Sequence, residues 1–277
     1  MIKLPQNPFI IWIRERINQN KNAMILINGA TGSGKSYSCL SLAREVANDL
    51  NTSFSVENNV AFKFTELLEK MNLPENQSPG TVFIFEEVGS VGSGASARKW
   101  QSQANQFFFS FAQTSRHRNQ ILFMNCPNFS FLEKGTRSLI HFQLECNGID
   151  FKKKIAYLKP YRIQINSRTG KFYFKFLRIK YNGLSIKFNQ LAVKHPEMVD
   201  VKVYEAMKTD FTTKLNKMII EEETKKPMKR KVEPYRVKEL LEQGLTQKEI
   251  GFRLGVTPKT IRKYKKLIIT NKIPKKV

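Results

Sequence analysis

The sequence predicts an α/β fold: a parallel sheet covered by helices on both faces, extended by a β-hairpin and followed by a small all-α domain. Three observations carry that prediction. An apolar run, Met24–Ile27, leads into a glycine-rich loop and then a helical pattern. Strand-like and helix-like segments alternate from there to about residue 145, as they do when crossover helices join parallel strands. A charged stretch with two prolines, residues 221–234, then precedes three short amphipathic segments.

The bulk composition sets the frame. A chain of 277 residues can bury one large core, or one core and a small second unit. With 41% hydrophobic and 25% charged residues it has the balance of a soluble globular protein. The net charge of +24 favours polyanions, whether nucleic acid or anionic membrane, although a general richness in solvated lysine accounts for part of it. No apolar run is long enough to span a membrane, and MIKLPQNPFIIWIRERI does not have the form of a signal peptide. Its FIIWI passes directly into RERINQNK, the pattern of an amphipathic opening helix. Cys39, Cys126 and Cys146 form no C-x-x-C pair, and His117, His141 and His195 have no metal-ligand spacing with them. Neither structural zinc nor a disulfide framework is expected, in keeping with a reducing, cytoplasmic setting.

The first strand, 24–28, ends at GATGSGKS, residues 29–36, which matches G-x-x-x-x-G-K-[ST] at every fixed position. A helix over 34–49 follows, marked by Leu40, Leu42, Ala43, Val46 and Ala47. Gly29, Gly32 and Gly34 permit backbone angles and close approaches that a Cβ forbids. The N–H groups of the loop then face inward as an anion nest at the positive end of a helix dipole. Gly29, Ala30, Thr31, Gly32, Ser33, Gly34, Lys35, Ser36 and Tyr37 form the expected nucleotide-binding set. Lys35 supplies a point charge to the β- and γ-phosphates, and Ser36 offers an oxygen to Mg²⁺.

A strand near 53–57 and a helix over 64–72 come next. The strand 81–86 lies within VFIFEEVG, residues 82–89, which stops at two glutamates. Alone, this reads as a strand ending in surface charge. About fifty residues after a phosphate loop it reads differently: such a strand ends in an acid that holds the metal, often followed by a glutamate that polarises water. Glu86 takes the metal role and Glu87 the catalytic one. Glutamate in place of the commoner aspartate is tolerable where the contact runs through a metal-bound water. If the strand continues through both residues they face opposite sides, so its end must twist for both to serve. GSVGSGASARKW, residues 89–100, reads as a spacer, or as a DNA-facing loop ordered in an assembly. A helix over about 98–115 follows, with FFFSF, residues 107–111, as its core rather than a base-stacking platform. Strands at 120–125 and 139–145 complete this part.

A strand and helix between the loop and the acidic strand, with Glu87 in second place, resemble the additional-strand, catalytic-glutamate group of P-loop ATPases with a RecA-like core. Kinases and small GTPases fit less well. No N-K-x-D guanine signature is present, so ATP is the expected nucleotide. Residues 111–140, FAQTSRHRNQILFMNCPNFSFLEKGTRSLI, are similar to the HerA/FtsK superfamily, which includes Zot-like and viral or conjugative DNA-pumping ATPases. They share a basic R-H-R turn, an apolar strand with a polar end, a short loop and a second arginine. The resemblance covers about residues 20–145. It implies that Asn125 is a polar sensor, where that family usually has glutamine, orienting water or sensing the γ-phosphate. It also implies a homo-oligomer such as a hexameric ring. Arg116, or Arg118 in second place, would then be a finger reaching a neighbour's nucleotide; a phosphate-contacting or simply solvated arginine is the alternative.

From Phe142 to Phe188 the pattern turns to strands, with SRTG as the turn of a β-hairpin. Lys171, Lys175, Arg178 and Lys180 alternate with aromatics, which suggests a basic face that tracks DNA, or else an ordinary half-exposed hairpin. Residues 196–220 read as one or two helices and 221–234 as a charged linker. After it Val237, Leu240 and Leu241 share a helical face, and Gly244 suits a helix C-terminus. Thr246 and Glu249 make a capping box. Leu254, Gly255 and Val256 form a short turn, and Thr257 caps a further helix opened by Pro258. The pattern resembles a helix-turn-helix of resolvases and repressors. Its second helix presents Thr257, Lys259, Thr260, Arg262, Lys263 and Lys266 to DNA. A helical protein–protein module is the competing reading. Residues 222–277 carry about 17 Lys and Arg against about 6 Asp and Glu, which favours the nucleic acid.

The expected domains are an ATPase domain with its hairpin over 1–195, a helical segment over 196–220, the linker over 221–234 and the helix-turn-helix over 235–277. The expected function is that of an ATP-dependent DNA motor of a virus, plasmid or mobile element, acting in the cytoplasm, with ATP and Mg²⁺ as cofactors and DNA as partner. An ATP-dependent helper for replication or transposition, and a nucleotide-sensing DNA-binding regulator, are the competing readings.

Overall fold

A computed structural model describes residues 7–86, 111, 115–132, 134–181, 183–225 and 232–269. They fall into two compact units, Met1–Thr212 and Thr213–Val277. The first is built on a nine-stranded sheet with spatial order β2-β3-β4-β1-β5-β6-β7-β8, and β9 paired to β6. The strands are β1 Ala23–Asn28, β2 Val60–Ala61, β3 Val82–Phe85, β4 Ile121–Cys126, β5 Phe142–Asp150, β6 Ile155–Ile165, β7 Phe172–Tyr181, β8 Leu184–Phe188 and β9 Leu191–Lys194. From β2 across to β5 all pairs are parallel; from β5 onward they are antiparallel.

The parallel half is buried on both faces, and strand alternation divides its side chains between two cores. Ile25 and Ile27 of β1, Val82 and Ile84 of β3, and Ile121 and Phe123 of β4 share one core with helices α1 (Pro8–Asn18), α2 (Lys35–Asp49) and the start of α6 (Met198–Lys225). Met24, Leu26, Phe83, Phe85, Leu122 and Met124 enter the other, beside α4 (Phe64–Met71) and Phe111. Asn7 caps α1 by accepting from the Phe9 N–H at 3.1 Å, with Pro8 at the first helical position. Arg14 of α1 donates through Nε to Asp49 of α2 at 2.7 Å, and Arg44 of α2 does the same to Asp200 of α6 at 3.0 Å. These two ion pairs tie three helices to one face. His141, just before β5, accepts the Met24 N–H at its Nδ1 at 3.0 Å. Burial, reinforced by Arg16 and Arg162, pushes its pKa down to about 3.

Several elements depart from the sequence-based expectation. The strand near 53–57 is instead a short helix, α3 (Val56–Asn59), and the edge strand β2 has only two residues. The cause is local. Ser55 accepts the Asn58 N–H at 3.1 Å and Asn59 accepts the Ser55 N–H at 2.9 Å, an alternative to the ladder. A helix, α5 (Lys134–Leu139), occupies the approach to β5, which runs on to Asp150 rather than stopping near 145. The single hairpin is in fact the antiparallel half of the sheet. Nor do the expected cations share one face of β7. Its regular pairing puts Lys175 on the side of buried Leu177 and Ile179, and Arg178 and Lys180 on the side of Phe174 and Phe176. The three-residue step from Lys175 to Arg178 crosses the strand. The segment after residue 195 is one helix of 28 residues, which runs into the expected linker. Of the helix expected over 98–115, only Phe111 and Ser115 lie within the described residues, both helical and buried. GSVGSGASARKW lies outside them.

In the second unit α7 (Pro234–Glu242), α8 (Gln247–Leu254) and α9 (Pro258–Ile269) surround Val232, Val237, Ile250 and Ile261. The Thr246–Glu249 capping box is formed, and Gly255 ends α8 in the left-handed conformation. Gly251 lies where α8 meets the turn: a Cβ there would stand 2.7 Å from the Val256 carbonyl oxygen, which is backbone and cannot swing aside. Gly251→Ala should therefore lower the stability of this unit by about 1–3 kcal/mol. Hydrogen exchange on the full chain should show faster exchange confined to α7–α9 amides, with those of β1 and β4 unchanged.

Candidate nucleotide site

The site is assembled where β1, β3 and β4 end. β1 finishes at Asn28, and the loop Gly29–Gly34 lifts the chain into α2, whose N-terminus points back at the sheet. Gly34 holds φ +88° as the residue before the helix. A Cβ there would also press within 3.1 Å of Ile149, so both angle and space call for glycine. Gly29 is as constrained: an added Cβ would meet Ser33 Oγ at 2.7 Å and Cys146 Cβ at 2.9 Å. Lys35 bends over its own loop. Its ammonium donates to Gly29 O at 3.0 Å and Ala30 O at 2.8 Å, which leaves the third of its donors to face a ligand.

Strand register brings the acid to the same place. Phe85 is level with Met124, and Asn125 with Ile27, so the residue after Phe85 stands beside Asn125 at the carboxyl edge. Glu86 extends the pairing by donating its N–H to Ala61 O at 2.9 Å. Its carboxylate, 1% exposed, accepts at Oε2 from Asn125 Nδ2 at 2.6 Å and from Ser36 Oγ at 3.1 Å. Asn125 Nδ2 also lies 3.2 Å from Ser36 Oγ. Burial raises the Glu86 pKa; the Asn125 hydrogen bond, the Lys208 charge, and Tyr204 and Ser36 oppose that rise. Glu86 Oε1 is buried and has no hydrogen-bond partner among the described residues.

Two further residues come from α6. Tyr204, fully buried, turns its hydroxyl toward Glu86 and Ser36 but falls short of hydrogen-bond geometry; burial and the Glu86 charge hold this phenol well above its ordinary pKa. Tyr37, next after Ser36, donates its hydroxyl to Glu205 at 3.2 Å. A cavity of about 730 Å³ opens beside the loop, lined there by Thr31, Gly32, Gly34, Lys35, Ser36 and Asn125. Its far side is formed by residues 149–156 and 193–208. Tyr204, Lys208, Phe151 and His195 carry no motif, and only the fold brings them to a loop more than 100 residues upstream.

The arrangement suits a divalent cation with phosphate. Ser36 Oγ and the Glu86 carboxylate are hard oxygen donors side by side, and the unpartnered Glu86 oxygen is what a cation or one of its waters would satisfy. Among the described residues no three His, Cys, Asp or Glu side chains gather into a metal cage. Mg²⁺ needs none, since it keeps waters and takes phosphate oxygens.

The other expected site residues are placed as follows. Glu87 lies outside the described residues. Arg116 is exposed on the helical turn before β4, beyond the amino end of that strand, and about 13 Å of strand separates Ile121 from Asn125 at the other end. Arg118 donates to Met71 O at 3.2 Å and to Asn72 at 3.3 Å, which fastens it to the end of α4. On α9, Lys259, Arg262, Lys263 and Lys266 are exposed, with Thr260 half-buried; Thr257 Oγ1 accepts the Thr260 N–H at 3.4 Å.

No family model matches the chain, and no curated protein matches it. Among solved structures it is similar to the N-terminal domain of zonular occludens toxin from Neisseria meningitidis, at 16% identity and a TM-score of 0.32, over 57% of this chain and 95% of that one. It is also similar to the genome packaging NTPase of Sulfolobus turreted icosahedral virus 2. In the complex with AMP the identity is 12% and the TM-score 0.31, over 48% of this chain and 78% of that one. In the complex with ATP-gammaS they are 10% and 0.33, over 55% and 96%. Overlaps of this depth bear on neither reaction nor partner. Among the described residues no helix is long and apolar enough to cross a membrane.

The raised pKa of Glu86 makes folding depend on pH. Between the ordinary carboxylate value and the raised one, the folded chain binds more protons than the unfolded chain, so this group's contribution to stability falls as pH rises through that window. Above it the folded state retains a buried charge at a cost. Glu86→Gln should therefore melt higher than the parent at neutral pH without nucleotide, with the gap closing on acidification toward pH 4.5. Thermal melts across pH 4.5–8 check this; a lower-melting variant at neutral pH contradicts it.

Proposed function

We propose that the chain is an ATP-hydrolysing motor that moves the DNA of a virus, plasmid or mobile element. The observation that carries the reading is the meeting of Ser36 Oγ and Glu86 Oε2 at 3.1 Å beneath Lys35, at the open end of a glycine loop. A surface strand-end would have no reason to bury a carboxylate against the first turn of that helix. In this reading the loop N–H groups of Gly29–Ser36 and the Lys35 ammonium hold the β- and γ-phosphates. Ser36 and Glu86 hold Mg²⁺ directly or through its waters; when bound, the ion neutralises charge on the phosphate oxygens. Asn125, between the two, orients the water or senses the γ-phosphate. Glu87, next in the chain, accepts the proton of the attacking water.

The chain's own placement of Arg116 supports action in an assembly. It lies beyond the amino end of β4, whereas its own loop lies at the carboxyl end of the parallel strands, so a nucleotide it served would more readily be a neighbour's than its own. A homo-oligomeric ring, hexameric in our reading, meets that requirement. DNA is engaged through the C-terminal helices, which act as a helix-turn-helix. The exposed row Lys259, Arg262, Lys263 and Lys266 on α9 suits phosphates and base edges of a major groove. ATP is the substrate and the cytoplasm the setting.

Lys35→Ala should weaken ATP binding about 10- to 100-fold, the loss of a charge-assisted contact of about 1.5–3 kcal/mol. Glu87→Gln should keep ATP binding and abolish DNA-stimulated phosphate release; full turnover in that variant contradicts the assignment. Sustained displacement of single DNA molecules by the purified protein is expected, and tight binding without motion would point to a switch instead. Replacing Lys259 and Arg262 together should flatten the salt dependence of duplex binding, by up to about 1.8 in the log–log slope if each cation neutralises one phosphate.

A further inference from the structure

We infer that the wall of this cavity made by the β5–β6 turn and the β9–α6 junction is the seat of the nucleoside, with Phe151 and His195 as its stacking groups. The inference rests on the nucleotide reading of the glycine loop. The cavity of about 730 Å³ is too large for three phosphates alone and has the size of sites that enclose whole small ligands. One end is the loop. The other combines an apolar surface, with Phe151, Ile155, Ala156, Val193 and Pro196 among its lining, with the charged side chains of Lys154, Lys194, Glu205 and Lys208 around it. The two ends are in contact: β5 and β6 press Ile149 and Ala156 against the position where Gly34 would carry a Cβ, at 3.1 and 3.8 Å. A ligand whose phosphates occupy the loop therefore directs its remaining half along this wall.

The rings there are held in place before any ligand arrives. The His195 N–H donates to Lys154 O at 2.9 Å and so closes the end of β9 against the turn. Its Nδ1 lies 2.8 Å from Pro196 O, and the ring meets Tyr37 edge-on at 5.1 Å. Tyr37 is itself fixed by Glu205. Phe151 is different: it is 79% exposed on the turn, an aromatic that adds almost nothing to the core yet lines the cavity. A large apolar ring left in water at the mouth of a site is explained by a flat partner, and a base offers one.

The test compares MgATP with inorganic tripolyphosphate at the same Mg²⁺ concentration, by calorimetric titration of the full chain. The parent should bind ATP at least about tenfold more tightly than tripolyphosphate, the range of one base–aromatic stack. The Phe151→Ala, His195→Ala double variant should lose about that factor for ATP and none for tripolyphosphate, which also reports that the fold is intact. Phe151→Trp should retain ATP affinity. Equal binding of ATP and tripolyphosphate by the parent, or unchanged ATP affinity in the double variant, overturns the nucleoside seat and leaves the loop reading standing. If the parent binds neither, the loop reading falls, and this inference with it.

Discussion

A carboxylate taken out of water at the edge of a parallel sheet organises the first unit. Glu86 has surrendered almost all of its hydration, and an isolated charge in that position would be costly. One of its oxygens recovers part of the loss through Asn125 and Ser36, which come from two other elements. The other oxygen has no hydrogen-bond partner among the described residues. Groups left in this condition are stability given up for chemistry, and they mark functional sites more often than structural ones. The glycine loop, the sheet order and the packing of α6 all bear on whether that carboxylate can be satisfied.

The sheet order explains how three distant segments converge. β4 lies between β1 and β3, so the polar residue at its end faces both the loop and the acid. In this register the strands contribute to one core through alternate residues, and Asn125 and Glu86 fall on the α2 side by the same alternation as Phe123 and Ile84. Polar ends on otherwise apolar strands are thus set by the period of the strand and not by chance. The ion pairs Arg14–Asp49 and Arg44–Asp200 hold the covering helices to that side.

Much of this was legible in the residues. GATGSGKS fixed the loop and the helix after it, because only a few backbone paths accept glycines at those spacings. VFIF followed by an acid located β3, and ILFMNC located β4. Where the reading failed, short-range polar contacts or parity were responsible. Ser55 and Asn59 offered the backbone hydrogen bonds that a strand would otherwise have made. The positions of Lys175 and Arg178 were in the sequence throughout, and an odd step along a strand already forbids a shared face. Tyr204 and Phe151 could not be read in advance, since their importance depends on a tertiary path joining segments far apart in the chain.

His141 sets a limit of another kind. Its imidazole serves the sheet only as an acceptor, by taking the amide proton of Met24 in the central strand. A doubly protonated ring cannot do that, and the fold resists forming one until pH about 3. The unfolded chain has no such restriction and gains this proton near pH 6.5. Between those values acid favours the unfolded form through this one ring, whatever occupies the phosphate loop. Tolerance of acidic surroundings is thereby capped from inside the sheet, at a ring that holds the central strand.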